Sequence, residues 1–135
     1  MGRVNNSPFL FSMLSLGKNK RLKSKKDIEL LLKNGSKIKD GAIILIYRPS
    51  ENSPTKMAVS VQKKLFKNAT DRNKIKRLIR EAYRLNQDLI ATDKAYHLFF
   101  IYVGKEIEGF DYFNKKIKQL LIRLNSNSKN DEQKN

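Results

Sequence analysis

The side chains of this chain with chemistry to offer are cations at regular spacing. From Lys56 to Arg84 there are ten Lys or Arg against two carboxylates, a local charge of +8 (10 − 2). Within "DRNKIKRLIREAYRLN" (71–86), at about 100° per residue, Asn73, Lys76, Arg77, Arg80 and Arg84 gather on one side of a helix. Arg72 and Lys74 flank them toward the N-terminus, while Ile75, Leu78, Ile79, Ala82 and Tyr83 fill the other side with Leu85 at its edge. Solvated helix faces usually mix signs, because like charges one turn apart cost a few tenths of a kcal/mol each. Here Glu81 is the only carboxylate among Lys76, Arg77, Arg80 and Arg84, and Asp71 sits at the expected cap. Such a row opposes helix stability in isolation. Against phosphates the repulsion becomes attraction and counterion release. The approach "VQKKLFKNAT" adds Lys63, Lys64 and Lys67 beside a helix N-terminus, whose free N–H groups favour phosphate oxygens.

Bond-breaking chemistry has no comparable set. The single histidine, His97, lies in "YHLFF" and is expected in a hydrogen-bonded structural role. Asp40, Asp71, Glu81, Asp88, Asp93, Glu106 and Glu108 are scattered and suggest no metal-ligand set, Glu108 and Asp111 reading as turn and cap residues. There is no phosphate-cradling glycine motif. No catalytic residue, protein-held metal or bound cofactor is therefore assigned. The absence of cysteine excludes disulfides and thiolate sites and suits a reducing cytoplasm.

These residues must be held by a chain of 135 residues, enough for one domain, with net charge +16 and pI about 10.1. So much like charge in a compact body points to a polyanionic partner. No apolar run approaches the roughly 20 residues that span a bilayer. Residues 1–15 read as an N-terminal extension, ordered or frayed, rather than a signal peptide, since basic "KNKRLKSKK" stands where a cleavage site would be. Residues 125–135 contain no apolar residue and read as a disordered tail. Between them, Ser24 and Asp27 cap a first helix over Ile28–Leu32, with Gly35 as a left-handed terminator. "AIILIYR" (42–48) is a buried strand and "KMAVSVQ" an alternating one, the two expected as a hairpin across "PSENSP". "YHLFFIYV" (96–103) is the strongest strand, and Phe113, Ile117, Leu120, Leu121 and Leu124 mark a last helix. One further strand is left open. The class is α+β, a sandwich of helices on a sheet.

The run "DRNKIKRLIREAYR", preceded by "VSVQKKLFKNA", resembles the bacterial ribonuclease P protein subunit, and the likeness extends from about residue 16 to 124. The resemblance implies a small single domain with a four-stranded sheet, three helices and a left-handed β-α-β crossover, against the general right-handed rule. It implies a protein that joins a catalytic RNA, the pair removing the 5′ leader of precursor tRNA, with Mg2+ and the catalytic groups on the RNA. It also implies that Arg72, Asn73, Lys74, Lys76, Arg77 and Arg80, with Lys63 and Lys64, meet RNA, and that a cleft beside the first helix holds the leader. Lys76 and Arg80 are expected to face that leader, with Ile28, Leu32 and Tyr47 in the cleft. This chain departs from the family pattern in having Ile28 and Leu32 where Phe is usual, which favours apolar packing there over base stacking. It also carries Lys74 where Arg is usual, and a "LFK" run one residue longer than the usual sequence. Tyr47 and Tyr102 could stack on the leader or simply pack in the sheet.

The alternative is a non-catalytic RNA-binding protein of ribosomal type, which shares the charge and the plan. A DNA-binding recognition helix would need a preceding helix and short turn, where an alternating strand stands instead. A membrane-surface helix would need an apolar face that the sheet already claims.

Overall fold

The computed structural model describes residues 21–50, 54–91 and 93–134, so the expected extension over 1–15 lies outside the described residues. The elements are α1 (Lys25–Asn34), β1 (Ser36–Asp40), β2 (Ile43–Pro49), β3 (Lys56–Val61), α2 (Ala69–Asn86), a 3-10 turn (Gln87–Leu89), β4 (Tyr96–Tyr102) and α3 (Phe110–Lys134). The four strands form one sheet in the order β1-β2-β4-β3. β2 is antiparallel to both β1 and β4, and β3 runs parallel to β4, joined to it through α2.

This order overturns the expected β2–β3 hairpin. β4 lies between the two strands because its alternate residues Tyr96, Leu98, Phe100 and Tyr102 are nearly inaccessible while Phe99 and Ile101 are half-covered on the other face. A strand apolar on both faces gains most at the centre of a sheet. The hairpin that does form joins β1 to β2 across Gly41 and Ala42, where Gly41 has φ +58 and permits the tight turn. β1 is thus the further strand left open by the sequence.

Helices cover both sheet faces. On one, α2 and α3 bury Ile75, Ile79, Ala82, Tyr83, Phe113, Ile117, Leu120, Leu121 and Leu124 against Ile43, Leu45, Tyr47, Leu98 and Phe100. On the other, α1 packs over β2 and β4, forming a smaller cluster of Leu22, Leu31 and Ile46 edged by Ile28, Ile44, Ala58, Phe99 and Ile101.

The termini of the helices differ from expectation in three ways. Ser24 does cap α1, its Oγ accepting from the Asp27 N–H at 3.3 Å, but Gly35 is extended (φ −75, ψ 156) rather than left-handed. Its glycine is needed for space: a Cβ there would stand 2.5 Å from the Leu31 carbonyl and 2.7 Å from the Ile46 side chain. α2 begins at Ala69 under an Asn68 cap, so Asp71 lies in the first turn, still favourably placed toward the helix dipole. α3 continues to Lys134 and takes in the residues expected as a disordered tail. The Asn125 side-chain amide donates to the Leu89 carbonyl, and that of Asn127 to the Tyr47 hydroxyl at 3.5 Å, so polar contacts tie down the start of this segment.

Candidate nucleic-acid interface

The loop between β3 and α2 is closed by a short turn in which Leu65 and Phe66 N–H donate to the Gln62 carbonyl. Phe66 inserts into the core, which leaves Lys63, Lys64 and Lys67 exposed around it. Arg72 reaches back from the first turn of α2, its Nη1 donating to the carbonyls of Phe66 at 2.7 Å and Lys67 at 2.9 Å. It is a strut between helix and loop as well as a cation. Asn73, Lys74 and Arg77 are exposed beyond it; Lys76 and Arg80 are half-buried on the same helix.

Arg84 behaves differently from the row to which it was assigned. Its side chain is only 14% exposed and forms a bidentate pair with Glu81, Nε donating to Oε2 at 2.9 Å. This hydrogen bond is also what holds the Glu81 carboxyl below its ordinary range. Arg84 is therefore largely committed within the helix, and the last fully exposed cation of this face is Arg77, with Arg80 half-buried one turn before Arg84. Burial holds the Arg80 guanidinium below its usual range, with a further contribution from nearby Arg21. Arg21 itself lies beside the outer edge of β3, paired with Met57, and the next residue, Leu22, donates its N–H to the Met57 carbonyl at 2.7 Å. Leu22 packs in the cluster under α1. The β3 edge is thus the seam at which the cations of α2 approach the α1 side of the sheet.

On that α1 side, Ile28 is half-buried against the small cluster and Leu32 is 46% exposed. Among the described residues no group of three His, Asp or Glu side chains could hold a metal ion, and no helix is long and apolar enough to cross a membrane.

The Ribonuclease P family model matches residues 16–125. The chain belongs to the ribonuclease P protein family. It is 34% identical over 122 residues to the ribonuclease P protein component of Chlorobaculum tepidum, covering 78% of this chain and 79% of that one. It is 33% identical over 120 residues to that of Porphyromonas gingivalis, covering 83% and 88%. In three dimensions it superposes on the RNase P protein from Thermotoga maritima with a TM-score of 0.67 at 28% identity, over 76% of this chain and 96% of that structure. A Staphylococcus aureus RNase P protein mutant matches with 0.68 at 25% identity, over 87% and 95%. The α+β class and its four-stranded sheet are those of ribonuclease P proteins.

Within this ribonuclease P protein the cleft residues expected from the sequence do not all come together. Ile28 and Leu32 lie on α1. Lys76 and Arg80 come from α2, on the opposite face of the sheet, and approach the α1 side only along the β3 edge. Tyr47 does not belong to the cleft. It is 6% exposed on the α2–α3 face, its ring edge-on to Tyr96 at 6.3 Å. Successive strand residues point to opposite faces, so in β2 it is Ile44, Ile46 and Arg48 that look toward α1. Tyr102 is likewise buried away from α1, with its hydroxyl donating to the Glu106 carbonyl at 2.6 Å and its ionisation pushed up to about 12 by burial.

Sequence reasoning missed the residues that do face α1 from the sheet. Register places Arg48, His97 and Lys56 in one row across β2, β4 and β3. The next row is Ile46, Phe99 and Ala58, and the next Ile44, Ile101 and Ser60. Alternation was legible in β3 alone, and the rows needed the strand order.

Proposed function

We propose that this chain is the protein component of a bacterial ribonuclease P, binding the catalytic RNA subunit and the 5′ leader of precursor tRNA and acting in the cytoplasm. The observation that carries the reading is the single-sign surface of Lys63, Lys64, Lys67, Lys74 and Arg77, exposed on a loop and helix fixed to each other by Arg72. Its cations displace counterions from the RNA subunit, each phosphate contact contributing about 0.7–0.9 to the slope of log K against log salt. Asn73, exposed between them, supplies a neutral donor and acceptor. Lys76 and Arg80 direct charge toward the β3 edge, where the leader would pass, with Ile28 and Leu32 offering apolar contact from α1.

Catalysis is placed with the RNA. In this proposal the RNA subunit carries the metal ions that activate water for phosphodiester hydrolysis. The protein's work is to raise affinity for the leader-bearing substrate and to screen phosphate repulsion. No DNA or membrane partner is proposed.

The test is cleavage of a precursor tRNA by a bacterial ribonuclease P RNA at low Mg2+, with and without the protein. Cleavage at the mature 5′ end that requires both components is the expected result. Tight RNA binding without stimulation would turn the reading to a ribosomal-type binder. Cleavage by the protein alone would overturn the division of labour.

A further inference from the structure

A second cationic face stands on α3. From Tyr112 to Asn127 the helix carries Lys115, Lys116, Lys118 and Arg123 and no carboxylate. Lys116 is paired with Asp40 at 3.1 Å. Lys115, Lys118 and Arg123 are exposed, and at about 100° per residue they lie on the side turned away from the buried Phe113, Ile117, Leu120 and Leu124. Gln119 and Ile122, both exposed, complete that side. Asp111, a turn before Lys115, is the one acid of the helix up to Asn127. Lys115 and Lys118 therefore repel at i,i+3 with no carboxylate between them.

The face is held in place at both ends of its cationic stretch. The Tyr112 hydroxyl accepts from the Ala42 N–H at 2.9 Å, and Arg123 Nη1 donates to the Lys39 carbonyl at 2.6 Å, tying α3 to the β1–β2 hairpin. It is also separate from the cations of α2. Asn86, the last residue of α2, donates to the Asn114 side chain at 2.7 Å, and Asn125 donates to Leu89, beyond that end. α3 thus leads away from the N-terminal half of α2, where Lys74 and Arg77 lie. The nine residues from Arg77 to Asn86 (86 − 77) span about 13 Å of helix, and packed helix axes stand about 8–10 Å apart, which puts Lys115 and Lys118 roughly 15 Å from Arg77. On α2 that interval holds Glu81, paired with Arg84, and exposed Leu85, so the cationic surface is interrupted there.

We infer that Lys115, Lys118 and Arg123 form a second contact for the phosphate backbone of the RNA subunit, so that the protein bridges two segments of one RNA. The inference rests on the ribonuclease P reading above and adds residues that reading does not assign. The position of the face selects the partner. α3 packs on the sheet face opposite α1 and against β1 and β2, whereas the leader was placed along the β3 edge, at the other end of the order β1-β2-β4-β3. A folded RNA offers strands on more than one side of a bound protein, which a single-stranded leader does not. Lysines act on phosphate as point charges, and phosphate contacts fix position without reading sequence. Arg123 keeps the rest of its guanidinium free beside its bond to Lys39. An RNA strand here turns the repulsion between Lys115 and Lys118 into attraction and counterion release.

The experiment titrates the full chain with a bacterial ribonuclease P RNA from 50 to 200 mM salt. K115Q/K118Q, with Arg123 kept because it also ties α3 to β1, should lower the salt slope by about 1.4–1.8 at an unchanged melting temperature. K115R/K118R should keep the wild-type slope. Because the chain has no cysteine, Q119C on α3 and N73C on α2 can each carry a single photocrosslinker in the holoenzyme bound to precursor tRNA. Crosslinks from Q119C to the RNA subunit, at nucleotides other than those reached from N73C, are expected. A wild-type slope in K115Q/K118Q, or no RNA-subunit crosslink from Q119C, would overturn the second contact while leaving the ribonuclease P reading intact. Crosslinks from Q119C to the precursor tRNA alone would overturn it too, as would one shared set of nucleotides from both positions. A wild-type protein that neither binds the RNA subunit nor stimulates cleavage would remove the underlying reading, and the second contact with it.

Discussion

Arg72 and Arg77 belong to the same basic run in the sequence, and the structure separates what their loss should do. Arg72→Ala removes a charged donor from two backbone carbonyls, one part-buried at 2.7 Å and one exposed at 2.9 Å. A hydrogen bond to a charged group is worth about 1.5–3 kcal/mol net. Exposure and the retained hydration of the second carbonyl lower the total to about 2 kcal/mol, or roughly 6–10 °C of melting temperature for a domain of this size. The freed loop should also let Lys63, Lys64 and Lys67 spread, so binding to the RNA subunit weakens by more than one charge would explain. Arg77→Ala takes away an exposed cation alone. It should leave stability within about 0.5 kcal/mol and reduce the salt slope of RNA binding by about 0.7–0.9. Arg72→Lys supplies the control: it keeps the charge and most of the salt slope but cannot span both carbonyls, so the melting temperature stays low. Thermal melts followed by circular dichroism, with filter binding to the RNA subunit from 50 to 200 mM salt, give both quantities. An Arg72→Ala protein that melts with the wild type would refute the strut, whatever its affinity.

Glu81→Gln tests the pairing of Arg84. The hydrogen bond from Arg84 lowers the folded pKa of Glu81 below 4.5, so its stabilisation is present above the unfolded value and lost as pH falls through the folded one. Melting temperatures of wild type and E81Q should differ at pH 6–7 and converge as pH falls through the lowered folded value; a constant gap would argue against the ion pair. Gly35→Ala should destabilise by about 1–3 kcal/mol, because its Cβ would press on the Leu31 carbonyl and Ile46; an unchanged chemical-denaturation midpoint would show that the helix end yields. Tyr47→Leu should cost about 1–3 kcal/mol of stability through lost packing, with the preference of the holoenzyme for leader-bearing tRNA retained; loss of that preference in folded protein would return Tyr47 to the cleft.

How much of this was legible in the residues depended on how local the deciding interaction is. The two sides of α2 were readable because helix periodicity repeats within each turn: Ile75, Ile79, Ala82 and Tyr83 are buried and Arg77 exposed as the spacing required. The fate of Arg84 was partly readable too, since Glu81 stands three residues before it and i,i+3 pairs meet on a helix. "AIILIYR" offered no alternation, because β2 is covered on both faces, and so nothing in it told which side Tyr47 would take. Polar "NSNS" gave no hydropathy signal for a helix, yet Asn125 and Asn127 reach partners distant in sequence at Leu89 and Tyr47.

Taken alone, the sequence determined the charge, the types of the main elements from α1 to the start of α3, and the cationic face of α2 with its approach loop, because each follows from residue type and short-range spacing. Only the tertiary structure decided that β4 enters between β2 and β3. Strand order is set by which apolar surfaces can be buried together, a competition among segments far apart in the chain. That one insertion brings Arg48, His97 and Lys56 into a row and sets Phe99 beside Ala58, an arrangement that exists in no single stretch of the sequence.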